Sequence, residues 1–128
     1  MKFLLDTHTF IWFVTDSPQL SSSVKALIED DRNEKLLSLV SIWEMAIKCS
    51  IGKLRFKLPF QTFLEQQIAL NSLGLMNIDV DHLSAVAMLP LHHRDPFDRL
   101  LIAQAIVEKL PILGRDEIFD VYEVQRLW

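Results

Sequence analysis

Short apolar runs alternate with helical patterns along the whole chain, and this alternation is the strongest constraint on its fold. Strands are predicted at residues 2–5, 36–40, 75–80 and 111–113. Helices are predicted at residues 10–14, 21–30, 41–49, 59–73, 81–89 and 98–109. Strands that alternate with helices form a parallel sheet with right-handed crossovers and helices on both faces. The sequence therefore predicts an α/β fold.

The composition fits one domain over residues 1–128. Half of these residues are hydrophobic, so the chain can bury a core without a disulfide or a structural metal. The single cysteine, Cys49, excludes an intramolecular disulfide and agrees with a reducing cytoplasm. Asp6 and His8 interrupt the apolar N-terminus, which argues against a secretory signal. No uncharged apolar run reaches the roughly 18 residues of a membrane span, and we expect a soluble cytoplasmic protein without membrane contact.

The charge balance limits how the chain can contact nucleic acid. It has 13 Lys and Arg residues against 17 Asp and Glu residues, a formal net charge of −4. This balance argues against a protein that coats nucleic acid by bulk attraction. Any such contact must be local.

Four acidic residues are candidates for one shared site. Asp6 directly follows the first strand, Asp116 lies shortly after the last one, and Glu44 lies in the first turn of the helix after the second. Ligands of open α/β sheets bind at the carboxyl ends of the strands, so these three acids are expected at one edge. Asp98 opens a helix that is apolar nearly all round and is expected to point into a partly enclosed place.

Two of the acids have good structural explanations. Ser41 and Glu44 fit a capping box, and Glu44 also stands four residues before Lys48, with which it can pair. Asp95 is a predicted helix N-cap, which places Asp98 in the first turn, where the helix dipole favours a negative charge. Capping explains Asp95 completely and Asp98 only in part.

The other two acids differ in how well local structure accounts for them. Asp116 fits the N-cap of a short helix that starts near Glu117, and this role competes evenly with a catalytic one. Asp6 has no cationic neighbour in its own segment, although a carboxylate at the end of a buried strand needs a cation or a metal. Asp6 is therefore the acid that most strongly indicates a site.

The chemistry of such a cluster indicates a hard divalent cation. Clustered carboxylates repel one another, and a metal ion removes that repulsion. Oxygen ligands suit Mg²⁺ or Mn²⁺ better than zinc, for which the sequence has no Cys/His spacing. A bound metal can lower the pKa of a water and stabilise a leaving oxygen. The acids therefore predict hydrolysis of a phosphodiester.

Three stretches of the chain together form a distinctive pattern: residues 4–8 (LLDTH), 41–48 (SIWEMAIK) and 93–105 (HRDPFDRLLIAQA), of which the last is the most specific. The pattern resembles that of the PIN-domain ribonucleases, and specifically of the VapC-like toxins of prokaryotic toxin–antitoxin pairs. With the turn at residues 115–117 the three stretches span nearly the whole chain in the expected order.

The resemblance implies a three-layer α/β/α domain, metal-dependent endonucleolytic cleavage of RNA, an antitoxin partner and a homodimer. It implies metal ligation by the residues that match the family's acids, namely Asp6, Glu44, Asp98 and Asp116. Thr7 matches a hydroxyl residue that assists the first acid, and we predict that it contacts substrate. This chain has Gly114 where many relatives carry Ser or Thr two residues before the fourth acid.

Basic and aromatic residues near these motifs have two interpretations each. Arg94 and Arg99 flank Asp98, where they can bind a phosphate or balance the acids, and we predict that Arg99 binds substrate. His92 and His93 adjoin the acid motif, where they can assist catalysis or be solvated, and we interpret them as solvated loop residues. One stretch is either a solvated turn or a positive rim for RNA; its basic residues are Lys48, Lys53, Arg55 and Lys57.

Several aromatic residues are assigned to the core or to an antitoxin groove: Trp12, Phe13, Phe56, Phe60 and Phe63.

Other α/β classes fit less well. A haloacid-dehalogenase-type phosphatase needs a second Asp where this chain has His8, and a magnesium-binding receiver domain needs paired acids after its first strand. Three scattered glycines cannot form a phosphate-binding loop. A non-catalytic partner-binding module of the same fold stays open as the alternative to the ribonuclease.

Overall fold

The computed structural model describes residues 1–128, and its elements alternate as the sequence predicts. The strands are β1 (Lys2–Leu5), β2 (Glu34–Ser38), β3 (Gly74–Met76), β4 (Ile112–Leu113) and β5 (Arg126–Leu127). The helices are α1 (Thr7–Val14), α2 (Ser22–Glu29), α3 (Leu39–Ser50), α4 (Phe60–Leu70), α5 (Val80–Met88) and α6 (Pro96–Glu108), with a short 3-10 helix at Glu117–Val121.

The strands form one parallel sheet in the order β3-β2-β1-β4-β5. Alternate side chains along a strand point to opposite faces, and both faces of the central strands are buried here. Phe3 and Leu5 of β1 pack in one cluster with residues of α1, α2 and α3, whereas Leu4 packs in a second cluster with residues of α6. The predicted α/β/α layering around a parallel sheet is therefore confirmed. No helix in the structure is both long and apolar enough to span a bilayer.

Several boundaries differ from the prediction because side-chain caps begin the helices earlier. Helix α1 starts at Thr7, since Asp6 is its N-cap, and not at residue 10. Helix α3 starts at Leu39, since the Ser38 hydroxyl accepts a hydrogen bond from the Val40 amide. The predicted strand at residues 75–80 is only three residues long, and β5 was not predicted at all.

A buried polar contact joins the end of β2 to helix α6. The Ser38 hydroxyl donates to Gln104 Oε1 over 2.6 Å, and Gln104 Nε2 donates to the Asn77 carbonyl over 3.2 Å. Both Ser38 and Gln104 are fully buried. A buried hydroxyl without an acceptor is costly, so Gln104 holds the Ser38 side chain in place. Because Ser38 caps α3, this contact fixes where α3 begins, and α3 carries Glu44.

We predict that Gln104→Leu lowers the free energy of unfolding by about 1–3 kcal/mol, because the Ser38 hydroxyl loses its acceptor inside the protein. Urea unfolding followed by circular dichroism measures this loss. Gln61→Leu is the matched control, since Gln61 is exposed on α4 and bonds only Glu65; it should change stability by less than about 0.5 kcal/mol. Equal effects of the two substitutions would contradict the assigned role of Gln104.

Candidate metal centre

Asp6 lies at the end of the central strand, where β1 passes into α1. Its Oδ1 accepts a hydrogen bond from the Thr9 amide over 2.7 Å, and the Thr9 hydroxyl donates to the Leu113 carbonyl over 2.8 Å. These contacts tie the start of α1 to the end of β4. The Asp6 side chain is thereby fixed beside the Gly114 turn, with only 5% of the residue exposed.

Asp6 lies in the lining of a surface cavity of about 460 Å³, and its second carboxylate oxygen, Oδ2, accepts no hydrogen bond from the protein. The cavity is lined by Asp6, His8, Trp12, Arg115, Asp116 and Glu117. Burial raises the pKa of Asp6 from 3.8 to about 6, against the lowering effect of the Thr9 hydrogen bonds. A carboxylate that is costly to ionise, with one oxygen free, is suited to bind a cation.

Gly114 is required by the position of Asp6. A Cβ atom on Gly114 would lie 2.8 Å from Asp6 Oδ2 and 3.1 Å from the Phe119 ring. Any other residue would therefore displace either the carboxylate or the buried ring. Glycine in place of the Ser or Thr of many relatives therefore leaves room for the Asp6 carboxylate. Asp116, two residues later, still lines the same cavity.

Asp98 comes from a different element, helix α6, and lies in its first turn. The Asp95 side chain accepts a hydrogen bond from the Asp98 amide over 3.0 Å, and Pro96 is the first helical residue, as the sequence predicts. His93 Nε2 lies 2.7 Å from Asp98 Oδ2. Burial raises the pKa of Asp98, and the neighbouring charges of Asp95 and Glu44 raise it further against the His93 hydrogen bond.

His93, Asp98 and Asp116 form a group that can hold a metal ion. One ligand atom from each of them lies within 4.8 Å of the other two. The charge of Asp98 also contributes to the raised pKa of Asp6, so the two acids are electrostatic neighbours. The structure therefore brings Asp6, Asp98 and Asp116 to one place, together with His93.

Glu44 is buried beside this group but both of its oxygens are engaged. Thr7 Oγ1 donates to Glu44 Oε1 over 2.8 Å and lies 2.9 Å from Ser41 Oγ, and Lys48 Nζ donates to Glu44 Oε2 over 2.8 Å. The predicted Lys48 pair is confirmed. The predicted capping box is wrong, because Ser38 caps α3 and Ser41 lies inside the helix. Ligation by Glu44 would require at least one of these bonds to be exchanged for a metal bond.

Thr7 and Arg99, both predicted to contact substrate, make contacts within the protein. The Thr7 hydroxyl is buried and faces Glu44, so it positions the second acid. The Arg99 guanidinium lies within hydrogen-bond distance of the Tyr122 hydroxyl and of four backbone carbonyls, those of Val86, Leu89, Pro90 and His93. These donors hold the loop before α6, and binding of a phosphate by Arg99 stays a prediction that would require some of these contacts to be exchanged.

His93 is the site residue that the sequence interpretation left out. The amides of His92 and His93 both donate to the Tyr122 hydroxyl, which donates in turn to the Pro90 carbonyl. These bonds fold the loop back over the first turn of α6, so that the His93 ring reaches Asp98. Because Tyr122 lies about thirty residues away in sequence, the local pattern does not predict how this loop folds. The local pattern predicts only the Asp95 cap, which fixes where α6 starts.

A second group of possible metal ligands is held together by hydrogen bonds within the protein. Asp79, His82 and Glu108 also have ligand atoms within 4.8 Å of one another. His82 Nδ1 accepts from the Asp79 amide over 3.0 Å, and Nε2 lies 2.9 Å from Glu108 Oε1. Both ring nitrogens of this buried histidine are thus engaged in capping α5 and joining it to α6.

The chemistry of the donors at the first site fits a hard divalent cation. Asp6, Asp98 and Asp116 offer carboxylate oxygens, which Mg²⁺ and Mn²⁺ prefer, and the free Asp6 oxygen lacks a donor within the protein. Burial raises the pKa values of Asp6 and Asp98, with smaller contributions from neighbouring carboxylates, and a bound cation would stabilise the ionised form of both acids. The expected cluster is therefore present as a place where a metal can bind.

Solved structures share this fold along nearly its whole length. VapBC2 from Rickettsia felis, bound to a DNA fragment from their promoter, gives a TM-score of 0.75 at 14% identity, covering 100% of this chain and 99% of that chain. A toxin–antitoxin complex from Klebsiella pneumoniae gives 0.65 at 16% identity, covering 98% and 96%. FitAcB from Neisseria gonorrhoeae gives 0.67 at 19% identity, covering 100% and 97%. Identities this low establish the fold alone.

Sequence comparison identifies the family. No curated protein sequence matches this chain. The family described as PIN domain matches residues 3–124, a range that includes all four of the predicted acids. The match covers far more than half of the chain and agrees with the parallel sheet described above. The chain therefore belongs to the PIN-domain family.

Proposed function

We propose that this PIN domain is a divalent-metal-dependent endoribonuclease and the toxin of a toxin–antitoxin pair. The observation that carries the proposal is the convergence of Asp6, Asp98 and Asp116 at the carboxyl edge of the sheet, with one oxygen of Asp6 free. The choice of RNA over DNA rests on the family resemblance. We expect the protein to act in the cytoplasm, on RNA of that compartment.

The residues of the site have separate tasks in this proposal. Asp6, Asp98 and Asp116 would hold the metal. Glu44 would join them after one of its hydrogen bonds, to Thr7 or to Lys48, is replaced by a bond to the metal. When bound, Mg²⁺ or Mn²⁺ lowers the pKa of a water and stabilises the leaving oxygen of the phosphodiester. Thr9 orients the Asp6 carboxylate through its amide, and Thr7 orients Glu44 through its hydroxyl. His93 orients Asp98 through the 2.7 Å contact.

Relatives in complexes support an antitoxin partner. The fold matches a toxin–antitoxin complex from Klebsiella pneumoniae over nearly all of both chains. A groove of about 700 Å³ beside the end of α1 suits a peptide with apolar side chains, because its walls include Val14 and the stacked rings of Phe56 and Phe63. Arg55 and Lys57, two of the four basic residues interpreted as a solvated turn or a rim for RNA, lie on the same groove. We place the antitoxin there, and not RNA.

A homodimer is also part of the proposal. Several large apolar side chains are exposed on α5 and beside it: Val80, Leu83, Met88, Leu91 and Val121. Exposed apolar surface of this kind is typical of protein interfaces. We therefore assign the α5 surface to the contact between two copies.

We predict that Asp98→Asn and Asp6→Asn each lower kcat/KM for RNA cleavage by more than about a hundredfold, because loss of a metal ligand costs more than loss of a supporting contact. Cleavage is measured on total RNA and labelled oligoribonucleotides with Mg²⁺ or Mn²⁺, and a chelator should abolish it. Asp31→Asn is the control, since Asp31 is exposed before β2, at the other end of the strands. Cleavage that persists in both variants, or in chelator, refutes the metal centre. A wild type inactive on all RNA would favour the non-catalytic binding module.

We predict that Asp6→Asn raises the melting temperature of the metal-free protein at pH 8 and has no such effect near pH 4. The folded-state pKa of Asp6, about 6, lies above its usual 3.8. The native state therefore holds a proton that the unfolded state has released, and ionising Asp6 costs stability progressively between about pH 4 and 6. Above pH 6 the cost reaches at most about 3 kcal/mol, and asparagine removes it while keeping an acceptor for the Thr9 amide. Scanning calorimetry across pH measures the effect. A pH-independent difference, or a less stable variant at pH 8, contradicts it.

We predict that Gly114→Ala abolishes stabilisation of the protein by Mn²⁺, because the new Cβ would lie 2.8 Å from Asp6 Oδ2 and displace it. Melting temperature with and without Mn²⁺ measures this. Gly74→Ala is a matched control, since its Cβ would lie 2.9 Å from the flexible end of Leu36, which can move. Retained Mn²⁺ stabilisation in Gly114→Ala would show that Asp6 Oδ2 takes no part in metal binding.

A further inference from the structure

The cavity beside the acids contains one aromatic ring and one strongly basic group, and the proposed hydrolysis uses neither. Trp12 is the only hydrophobic residue among the six that line it, and Arg115 is the only Lys or Arg. The remaining lining is acidic apart from His8. A cavity of about 460 Å³ with this lining has room for more than a metal ion and its waters.

Trp12 is held in place without being part of the core. Its neighbours Ile11 and Phe13 pack against the core cluster on that face of the sheet, whereas Trp12 packs in neither cluster and is half-buried. The ring centre lies 5.5 Å from that of His8, one turn earlier on α1, and 5.8 Å from that of Trp128, which it meets edge-on. The ring is therefore oriented by its neighbours and keeps surface toward the cavity.

Arg115 is a cation without a carboxylate partner. It lies between Gly114 and Asp116 in the chain, and the acids Asp116 and Glu117 line the same cavity, yet it forms no ion pair with them. Its guanidinium stacks instead on Trp12, with Cζ 4.6 Å from the ring centre, and Nη1 lies 3.3 Å from Gln19 Oε1. The residue is exposed, so the guanidinium can leave the ring at little cost.

We propose that Trp12 and Arg115 form a nucleotide-binding subsite next to the metal centre, an inference that rests on the proposed nuclease function. The Trp12 face now covered by the guanidinium receives an unpaired base, because a flat cation and a base occupy an aromatic face in the same way. Arg115 then turns to the phosphate of that nucleotide, which its fork of donors suits. The subsite sets which nucleotide lies beside the acids, and Trp12 and Arg115 are binding residues and not catalytic ones.

Binding to an intact probe tests the subsite independently of cleavage. The protein is the full chain carrying Asp98→Asn, in Mg²⁺, and the probe is a fluorescein-labelled single-stranded oligoribonucleotide of mixed sequence. We expect Trp12→Ala to weaken binding about tenfold and Trp12→Phe to retain most of the affinity, because stacking on one aromatic ring contributes a factor of this size. Fluorescence anisotropy measures the dissociation constants, and circular dichroism checks that each variant is folded.

Arg115 is tested through the salt dependence of the same binding. Arg115→Gln should weaken binding and lower the slope of log Kd against log salt by about 0.7, as expected for one lost phosphate contact to a single strand. Arg32→Gln is the matched control: its guanidinium is exposed and pairs with Asp30 in the turn before β2, at the opposite edge of the sheet from the acids. The control should leave affinity and slope unchanged.

Base stacking is separated from a general packing effect by removing one base of the probe at a time. The penalty of Trp12→Ala should vanish when the missing base is the one that stacks, and it should persist at the other positions. An equal penalty at every position, unchanged affinity in Trp12→Ala and Arg115→Gln, or no measurable binding by the parent protein overturns the subsite. Loss of cleavage without these changes in binding bears only on the nuclease proposal, and position-dependent binding by a protein that cleaves nothing leaves the subsite intact.

Discussion

Burial of the Asp6 carboxylate at the end of the central strand is the constraint on which the rest of the site depends. The charge is removed from water, and burial accordingly raises its pKa to about 6. Two features hold it there. The Thr9 amide donates a hydrogen bond to one carboxylate oxygen, through which Asp6 caps α1, and the lack of a side chain at Gly114 leaves room for the other oxygen. The ends of β1 and β4 thus both depend on the position of the Asp6 carboxyl group.

Capping and ligation are compatible roles in this fold. Asp6 caps α1, Asp116 caps the 3-10 helix, and Asp98 lies in the first turn of α6. Helix N-termini carry unpaired amides and a partial positive charge, so they favour carboxylates whether or not a metal is present. A helix start at the carboxyl edge of a parallel sheet therefore holds an acid in place with one oxygen and can offer the other to a ligand. The caps made by Asp6 and Asp116 each use one carboxylate oxygen, and the other oxygen of each is available for a ligand.

The parts of the fold that were predicted correctly depend on local pattern. The buried strand before Asp6 and the Asp95-Pro96 start of α6 both follow from residues within a few positions. The contacts that were not predicted join segments that are distant in sequence. Arg99 and His93 are both placed by Tyr122, from the far end of the chain, and Glu44 is held by Thr7 across 37 positions. Strand β5 is two residues long and half-buried, too short to show a period. Side-chain partners that are remote in sequence cannot be read from spacing.

The acids of the site differ in the side chains that contact them, and this difference indicates where a bound cation would be most stabilising. Glu44 forms an ion pair with Lys48, and Asp98 shares a short hydrogen bond with His93. Asp116 forms no ion pair with Arg115, which lines the same cavity, because the Arg115 guanidinium lies on Trp12. The Asp6 carboxylate accepts a hydrogen bond only from the Thr9 amide, and Asp6 is the most deeply buried acid of the group. A cation bound between Asp6 and Asp116 would supply the charge that the chain itself withholds, and Arg115 would stay available for an anion brought to that cation.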